Sequence, residues 1–179
     1  PEVRSAATVV AEGRNWSTTV TGSSNDYFAI SNWKLASGRL FDVLGVQAIL
    51  GRTFTDTDDR RGGGPNGPVA VIGYGFWQRR YGGAADVIGK TLTVERVPYT
   101  IVGVAPPQFF GVDVGRTFDV AIPIGTEPLI RGKESALDRR SWWWLNVMLR
   151  AKDGQSVGQA EAALKGVQPH IREATMPQD

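Results

Sequence analysis

The most informative stretch of the chain is Pro68-Val-Ala-Val-Ile-Gly-Tyr-Gly-Phe-Trp-Gln-Arg-Arg-Tyr-Gly-Gly83. The apolar run Val69 to Ile72, bounded by proline and glycine, predicts a short buried strand. Tyr74 to Tyr81 follows with aromatic side chains spaced to pack on one side of a short helix. The glycine pair after it is typical of a helix end. The stretch therefore predicts a strand that leads directly into a helix.

The sequence after this stretch predicts further strands. Lys90 to Val94 and Tyr99 to Val102 are separated by a turn near Arg96, and together they predict a hairpin. Phe118 to Ile122 predicts another strand, closed by Pro123. Because 22 glycines and 10 prolines interrupt most apolar runs, we expect many short strands and few helices.

The sequence before the stretch is less regular. Asp56 to Pro68 is polar, rich in glycine and aperiodic, which predicts a mobile loop and a subdomain boundary. Nearer the N-terminus, the alternation in Trp16 to Gly22 predicts a strand with Trp16, Thr18 and Val20 on one face.

The last third of the chain predicts a strand, a turn and a helix. Trp144 to Arg150 alternates as a half-buried strand does. Ser156 and Gln159 have the spacing of a capping box at the start of a helix. Pro169 is expected to kink or end that helix. Its apolar positions have helical spacing: Val157, Ala160, Leu164, Val167 and Ile171.

Composition limits the class of protein. Of the 179 residues, 41% are hydrophobic and 21% are charged, as in an ordinary globular domain. The net charge of +2 and the scattered basic pairs argue against a nucleic-acid partner. The absence of cysteine excludes disulfides and thiolate metal sites. No apolar run approaches the roughly 18 residues that would cross a membrane. Since the chain begins at Pro1, we expect it to be part of a longer protein.

Each candidate for catalytic or ligand chemistry has a simpler structural interpretation. Gly83 to Thr91 resembles a phosphate-binding loop, but Ala84 stands where the first glycine is required and a predicted strand follows, so a turn is favoured. Asp56, Asp58 and Asp59 lack the glutamate that completes a calcium loop, and we predict a solvated acidic turn.

The remaining chemistry-bearing residues are also isolated. His170 is the single histidine and predicts a surface or helix-terminal role rather than a catalytic one. The run Trp142-Trp143-Trp144 either fills the core, which we favour, or presents rings to a ligand or partner. We predict no catalytic, cofactor-binding or metal-binding residue, no cofactor and no enzymatic activity.

Ordered motifs along nearly the whole chain resemble the MacB-like periplasmic core domains of ABC transporter permeases. They are Asn15-Trp16-Ser-Thr-Thr-Val-Thr-Gly22, Asp26-Tyr27-Phe28 with Trp33, Gly38-Arg39-x-Phe41, Pro68 to Ile72, Phe76-Trp77-x-x-x-Tyr81-Gly82-Gly83, Val87 to Thr91 and Tyr99 to Pro106. Their centre is most similar to the duplicated orphan permeases of soil bacteria.

The resemblance implies an α+β fold in two parts. A porter-like βαβ subdomain would be built from residues 1–54 and 131–179, and a mostly-β subdomain of residues 55–130 would be inserted between them. The implied function is that of a non-catalytic extracytoplasmic domain, which transmits conformational change and contacts substrate or partner proteins during export. It would lie on the periplasmic face of the bacterial inner membrane.

The resemblance also implies partners. They are the permease's own transmembrane helices, a cytoplasmic ATPase domain or subunit, and a periplasmic partner protein or a second permease copy. Nucleic acid is not among them.

One feature departs from the family pattern. The Gly-Arg-x-Phe motif occurs twice, at 38–41 and 51–54, through either a natural insertion or a join of two relatives.

Two other functions compete with the transporter interpretation. One is a carbohydrate- or peptide-binding module that exposes Trp142 to Trp144. The other is a hydrolase that uses dispersed carboxylates facing each other across a cleft.

Overall fold

The computed structural model describes residues 2–11, 14–23, 40–111, 116–139 and 154–175. Seven strands were found in these residues: β1 (Glu2–Ala11), β2 (Arg14–Ser23), β3 (Leu50–Gly51), β4 (Val69–Ile72), β5 (Thr91–Val94), β6 (Val97–Val104) and β7 (Val120–Pro123). The α-helices are α1 (Leu40–Val43), α2 (Tyr74–Tyr81), α3 (Glu127–Arg131) and α4 (Val157–Thr175). Short 3-10 turns occupy Ala85–Val87, Ile124–Thr126, Gly132–Glu134 and Ala136–Asp138.

The strands form one sheet in the order β3-β6-β4-β7-β2-β1-β5. Because β5 also pairs with β6, the hydrogen-bonded circuit of six strands closes on itself. β2 pairs with β7, and β4 with β6, in parallel, while the other pairs are antiparallel. β3 pairs with the end of β6 that β5 leaves free. The mixed α+β architecture that the resemblance implies is therefore present.

The sheet has a core on each face of its central strands. One cluster contains Ala70 and Ile72 of β4, Leu92 of β5 and Ile101 of β6, with Phe76 of α2 packed on them. The other cluster holds Val69 and Val71, the alternate residues of β4, together with Ala121 of β7. This explains why all four residues of β4 are buried, as its uninterrupted apolar run predicts.

The local predictions around β4 are confirmed. α2 spans the predicted residues and ends at Gly82, which has a φ of 59° and donates its amide to the Gln78 carbonyl. β5 and β6 form the predicted hairpin, and both residues of its turn, Glu95 and Arg96, have positive φ. β7 begins two residues later than predicted and includes Pro123, which was expected to close it.

The predicted helix at the C-terminus is confirmed as α4. Both hydrogen bonds of its capping box are present: Ser156 N donates to Gln159 Oε1 at 2.9 Å, and Gln159 N donates to Ser156 Oγ at 3.2 Å. Pro169 lies inside the helix, so it does not end it. None of the described helices has the length and apolar character that a membrane span needs.

Of the remaining predictions, one is confirmed and two stay open. The strand expected at Trp144 to Arg150 lies outside the described residues. β2 confirms the strand predicted at Trp16 to Gly22. The division into residues 1–54 with 131–179 and residues 55–130 remains a prediction.

Candidate functional site

An ion pair between a half-exposed arginine and a buried aspartate lies where the second Gly-Arg-x-Phe motif leaves the sheet. Gly51 has a φ of 69°, and a Cβ there would lie 2.2 Å from the Val102 carbonyl oxygen, so only glycine fits beside β6. The next residue, Arg52, donates to both carboxylate oxygens of Asp58, from Nη1 to Oδ2 at 2.6 Å and from Nη2 to Oδ1 at 3.1 Å. This two-point contact fixes the orientation of the carboxylate as well as its charge.

Thr55 completes the surroundings of the Asp58 carboxylate. Its backbone amide and its hydroxyl each donate to Oδ2 at 2.6 Å. Burial alone would raise the pKa of Asp58, which is only 6% exposed, but the hydrogen bonds and the charge of Arg52 outweigh burial. The pKa of Asp58 is therefore held below its usual 3.8, and the group stays ionised at neutral pH.

The residues after Asp58 attach to a distant part of the chain. We call residues 55–63 the strap. Gly125 N donates to Asp59 Oδ1 at 2.9 Å, and Gly62 N donates to the Gly125 carbonyl at 2.8 Å. A Cβ at Gly125 would lie 2.2 Å from the Asp59 carbonyl oxygen, so the two backbones are in direct contact. Glycine is therefore required at position 125.

A third contact of the strap is an exposed ion pair. Arg61 Nη2 lies 2.7 Å from Asp138 Oδ2, and both side chains are more than half exposed. The hydrogen bond and charge of Arg61 lower the pKa of Asp138. Since solvent screens such a pair, its contribution to stability is small.

The segment that the strap contacts has its own buried polar contacts. Glu127 accepts hydrogen bonds from Ser135 Oγ at 2.6 Å and from Ala136 N at 2.9 Å. Tyr99 of β6 donates from its hydroxyl to Thr126 Oγ1 at 3.0 Å, and burial raises the pKa of Tyr99 to about 12. These contacts close residues 124–138 into a compact unit and fasten one end of it to the sheet.

Both copies of the Gly-Arg-x-Phe motif contribute a ring to one aromatic row. Phe54 contacts Phe41 edge to face at 5.5 Å between ring centroids, Phe41 contacts Phe109 at 5.6 Å, and Phe109 contacts Phe118 at 5.6 Å. The row packs with Val69 and Val71 of β4 and with Ala121 of β7. Phe41, the last residue of the first copy, is thus part of the core.

The predicted solvated acidic turn is wrong for two of its three aspartates. Asp58 is buried against Arg52 and Asp59 holds Gly125, while Asp56 is exposed. The segment 56–68 is irregular, as predicted, with one isolated bridge between Gly64 and Gly67. The hydrogen bonds of Asp58 and Asp59 hold the first half of this segment in place, which argues against the expected mobility.

The structure places the other candidates apart from one another. The segment from Gly83 to Thr91 runs through a 3-10 turn into β5, not into a helix, so its prediction as a turn is confirmed. His170 is exposed on α4. Trp142 to Trp144 lie outside the described residues. Within the part of the chain that the structure describes, no three His, Cys, Asp or Glu residues are grouped to hold a metal ion.

Sequence reasoning missed the strap and the buried Glu127. Arg52 stands in a motif that was noticed only for its repetition, and Asp58 follows it by six residues in a short acidic run. The sequence did contain one signal for an ion pair, because the arginine of the motif lies only a few residues before this acidic run. No local signal relates Asp59 to Gly125, because 66 residues separate them.

Comparison with known proteins identifies the family. Residues 1–167 match the MacB-like periplasmic core domain. The macrolide export ATP-binding/permease protein MacB of Rhodospirillum rubrum is 30% identical over 100 residues, which cover 56% of this chain and 13% of that protein. MacB of Bradyrhizobium diazoefficiens is 27% identical over 165 residues, which cover 92% of this chain and 22% of that protein. The chain thus spans only a small part of these relatives.

A solved structure supports the same fold. The periplasmic region of MacB from Actinobacillus actinomycetemcomitans superposes with a TM-score of 0.58 at 16% identity, covering 98% of this chain and 67% of that one. At 16% identity this likeness shows the fold alone. The family assignment rests on the sequence match of residues 1–167. The chain belongs to the MacB-like periplasmic core domains and is the periplasmic domain of a MacB-like ABC transporter permease.

Proposed function

We propose that this domain has no catalytic role of its own and transmits conformational change while it contacts substrate or partner proteins during export. The match of residues 1–167 to the periplasmic core domain is the observation that carries the proposal. The relatives named above combine an ATP-binding part and a permease in one protein. The chain here would then respond to ATP turnover that takes place elsewhere.

The partners follow from this role. Transmembrane helices of the same permease would hold the domain on the periplasmic face of the inner membrane, and a cytoplasmic ATPase domain or subunit would drive it. A periplasmic partner protein or a second permease copy would meet its outer surface. The subdomains would be residues 1–54 with 131–179 and residues 55–130.

Sheet topology supports a mechanical role. β1 and β2, at the start of the chain, pair with β5 and β7 from its middle. Hydrogen bonds of a sheet resist displacement along the strands because many must break together. Movement imposed at residue 2 or 23 would therefore pass to β7 through the four residue pairs that join it to β2.

Spin labelling of the complete transporter tests the proposal. Gln47 and Lys133 are exposed, and this domain contains no cysteine, so Gln47→Cys and Lys133→Cys each provide one label site in it. We expect the distance between labels on two permease copies to differ between the nucleotide-free and ATP-bound states. A transporter whose ATPase cannot bind nucleotide is the control. Identical distance distributions in both states would contradict transmission through this domain.

A further inference from the structure

We propose that the strap, residues 55–63, is a latch between the end of β3 and the segment 124–138. It would have a closed state, seen here, and an open state in which that segment loses its hydrogen bonds and its ion pair to the strap. The first observation concerns what holds the strap. None of its residues belongs to either hydrophobic cluster, and Asp58 is its one buried side chain. A segment held by polar contacts alone opens at a lower free energy than a packed sheet.

The second observation is that adjacent residues attach to different parts of the chain. Asp58 is held by Arg52, next to β3, and Asp59 holds Gly125. Because the two aspartates are consecutive, a movement that frees Asp58 also displaces the Asp59 carboxylate from the Gly125 amide. The strap therefore couples the end of β3 to the segment 124–138, although the two are distant in sequence.

The third observation is a pivot at Gly63, at the far end of the strap. Gly63 has a φ of 94°, a conformation that glycine adopts without steric cost, whereas the neighbouring Gly62 donates its amide to the Gly125 carbonyl and belongs to the attachment. Beyond them the bridge between Gly64 and Gly67 closes a compact turn. The strap can thus swing between a fixed turn on one side and the end of β3 on the other.

The fourth observation concerns the segment that would be released. Glu127 ties α3 to Ser135 and Ala136, so residues 124–138 hold together without the strap. The strap contacts both the amide and the carbonyl of Gly125, at the beginning of this segment, and Asp138 at its end. Opening of the latch would loosen the segment as a unit rather than unfold it residue by residue.

Hydrogen exchange of the 179-residue chain tests the latch. We expect Asp58→Asn to lower the protection of the Gly125 amide and of amides in residues 124–138 by about tenfold, because a charge-assisted hydrogen bond is lost. Amides of β4 and β6 exchange through global unfolding, so their protection should fall by no more than the loss in the free energy of unfolding that urea measures. Asp86→Asn is the matched control, since Asp86 forms an exposed pair with Lys90 away from the strap.

A second variant keeps the test decisive if Asp58→Asn impairs folding. Arg52→Gln removes a half-exposed partner and leaves Asp58 with its Thr55 contacts. It should lower protection of residues 124–138 in the same direction by a smaller factor. If either folded variant increases exchange only in residues 52–58, with residues 124–138 unchanged, the two regions are not coupled and the latch is refuted.

Discussion

The Asp58 carboxylate shows how four hydrogen bonds reverse the effect of burial at one residue. Two donors come from the Arg52 guanidinium and two from Thr55. Ionised Asp58 accepts all of them, whereas protonation would remove acceptor capacity and the attraction to Arg52. The folded state therefore favours the charged form more strongly than the unfolded state does.

Asp58 should stabilise the fold in a pH-dependent way. Its folded pKa lies below 3.8, so the contribution is complete above that value and is lost as pH falls through the lower folded pKa. We expect Asp58→Asn to reduce the free energy of unfolding by about 1–3 kcal/mol at pH 7. The difference between the two proteins should shrink below pH 3.8, measured by urea unfolding at several pH values. A difference that is equally large in strong acid would contradict this account.

The turn between β5 and β6 offers a stabilising substitution. Arg96 has a φ of 71°, although it is not glycine and its side chain is exposed. An L-residue in this conformation costs roughly 1 kcal/mol, and two-residue hairpin turns favour glycine there. We expect Arg96→Gly to raise the free energy of unfolding by about 0.5 kcal/mol after the greater flexibility of the unfolded chain is counted. A fall in thermal midpoint would show that Arg96 makes a compensating contact.

At the scale of elements, α4 depends on its first turn. Ser156 Oγ accepts from the backbone amide of Gln159, and Gln159 Oε1 accepts from the backbone amide of Ser156. Loss of such a cap costs about 1 kcal/mol, so Ser156→Ala should reduce helical circular dichroism and thermal stability. Ser156→Asp retains an acceptor and should behave as the natural chain does. Equal losses in both variants would mean that the hydroxyl acts in some other way.

A stabilising substitution is expected in the middle of the same helix. Gly166 lies inside α4, and a Cβ at this position would meet no atom within 4 Å. Alanine is favoured over glycine in helix interiors by roughly 1 kcal/mol. We expect Gly166→Ala to raise the thermal midpoint by a few degrees. An unchanged or lower midpoint would indicate that another part of the protein packs closely against position 166.

Elements that depend on neighbouring residues could be predicted from sequence, and long-range contacts could not. β4, α2, the β5–β6 hairpin and the α4 cap each follow from a short local pattern. The parallel pairing of β2 with β7 joins Val20 to Val120, and no pattern in either strand specifies it. The resemblance to a known family supplied the fold class, but it could not reveal the ion pair of Asp58 or the contact of Asp59 with Gly125.

At the scale of the whole molecule, the two faces of the central sheet have separate cores. One cluster is formed by residues of β4, β5, β6 and β7 together with Phe76 and Tyr81 of α2. The aromatic row covers the other face, and it draws on residues from 41 to 118. The duplicated Gly-Arg-x-Phe motif thus contributes to tertiary packing at both copies, because Phe41 and Phe54 meet in this second core.

A double-mutant cycle distinguishes cooperation between the two motif copies from independent burial. Phe41 and Phe54 are 1% and 6% exposed, so truncation of either to leucine should destabilise the fold. Their edge-to-face contact should add a coupling energy of about 0.5–1.5 kcal/mol, measured by urea unfolding of both single variants and the double variant.

Phe54→Leu combined with Phe76→Leu is the control, because Phe76 belongs to the other cluster. Those two changes should be additive within about 0.5 kcal/mol. Additivity for Phe41 and Phe54 as well would mean that the two copies fill the core independently and that the second motif does not depend on the first.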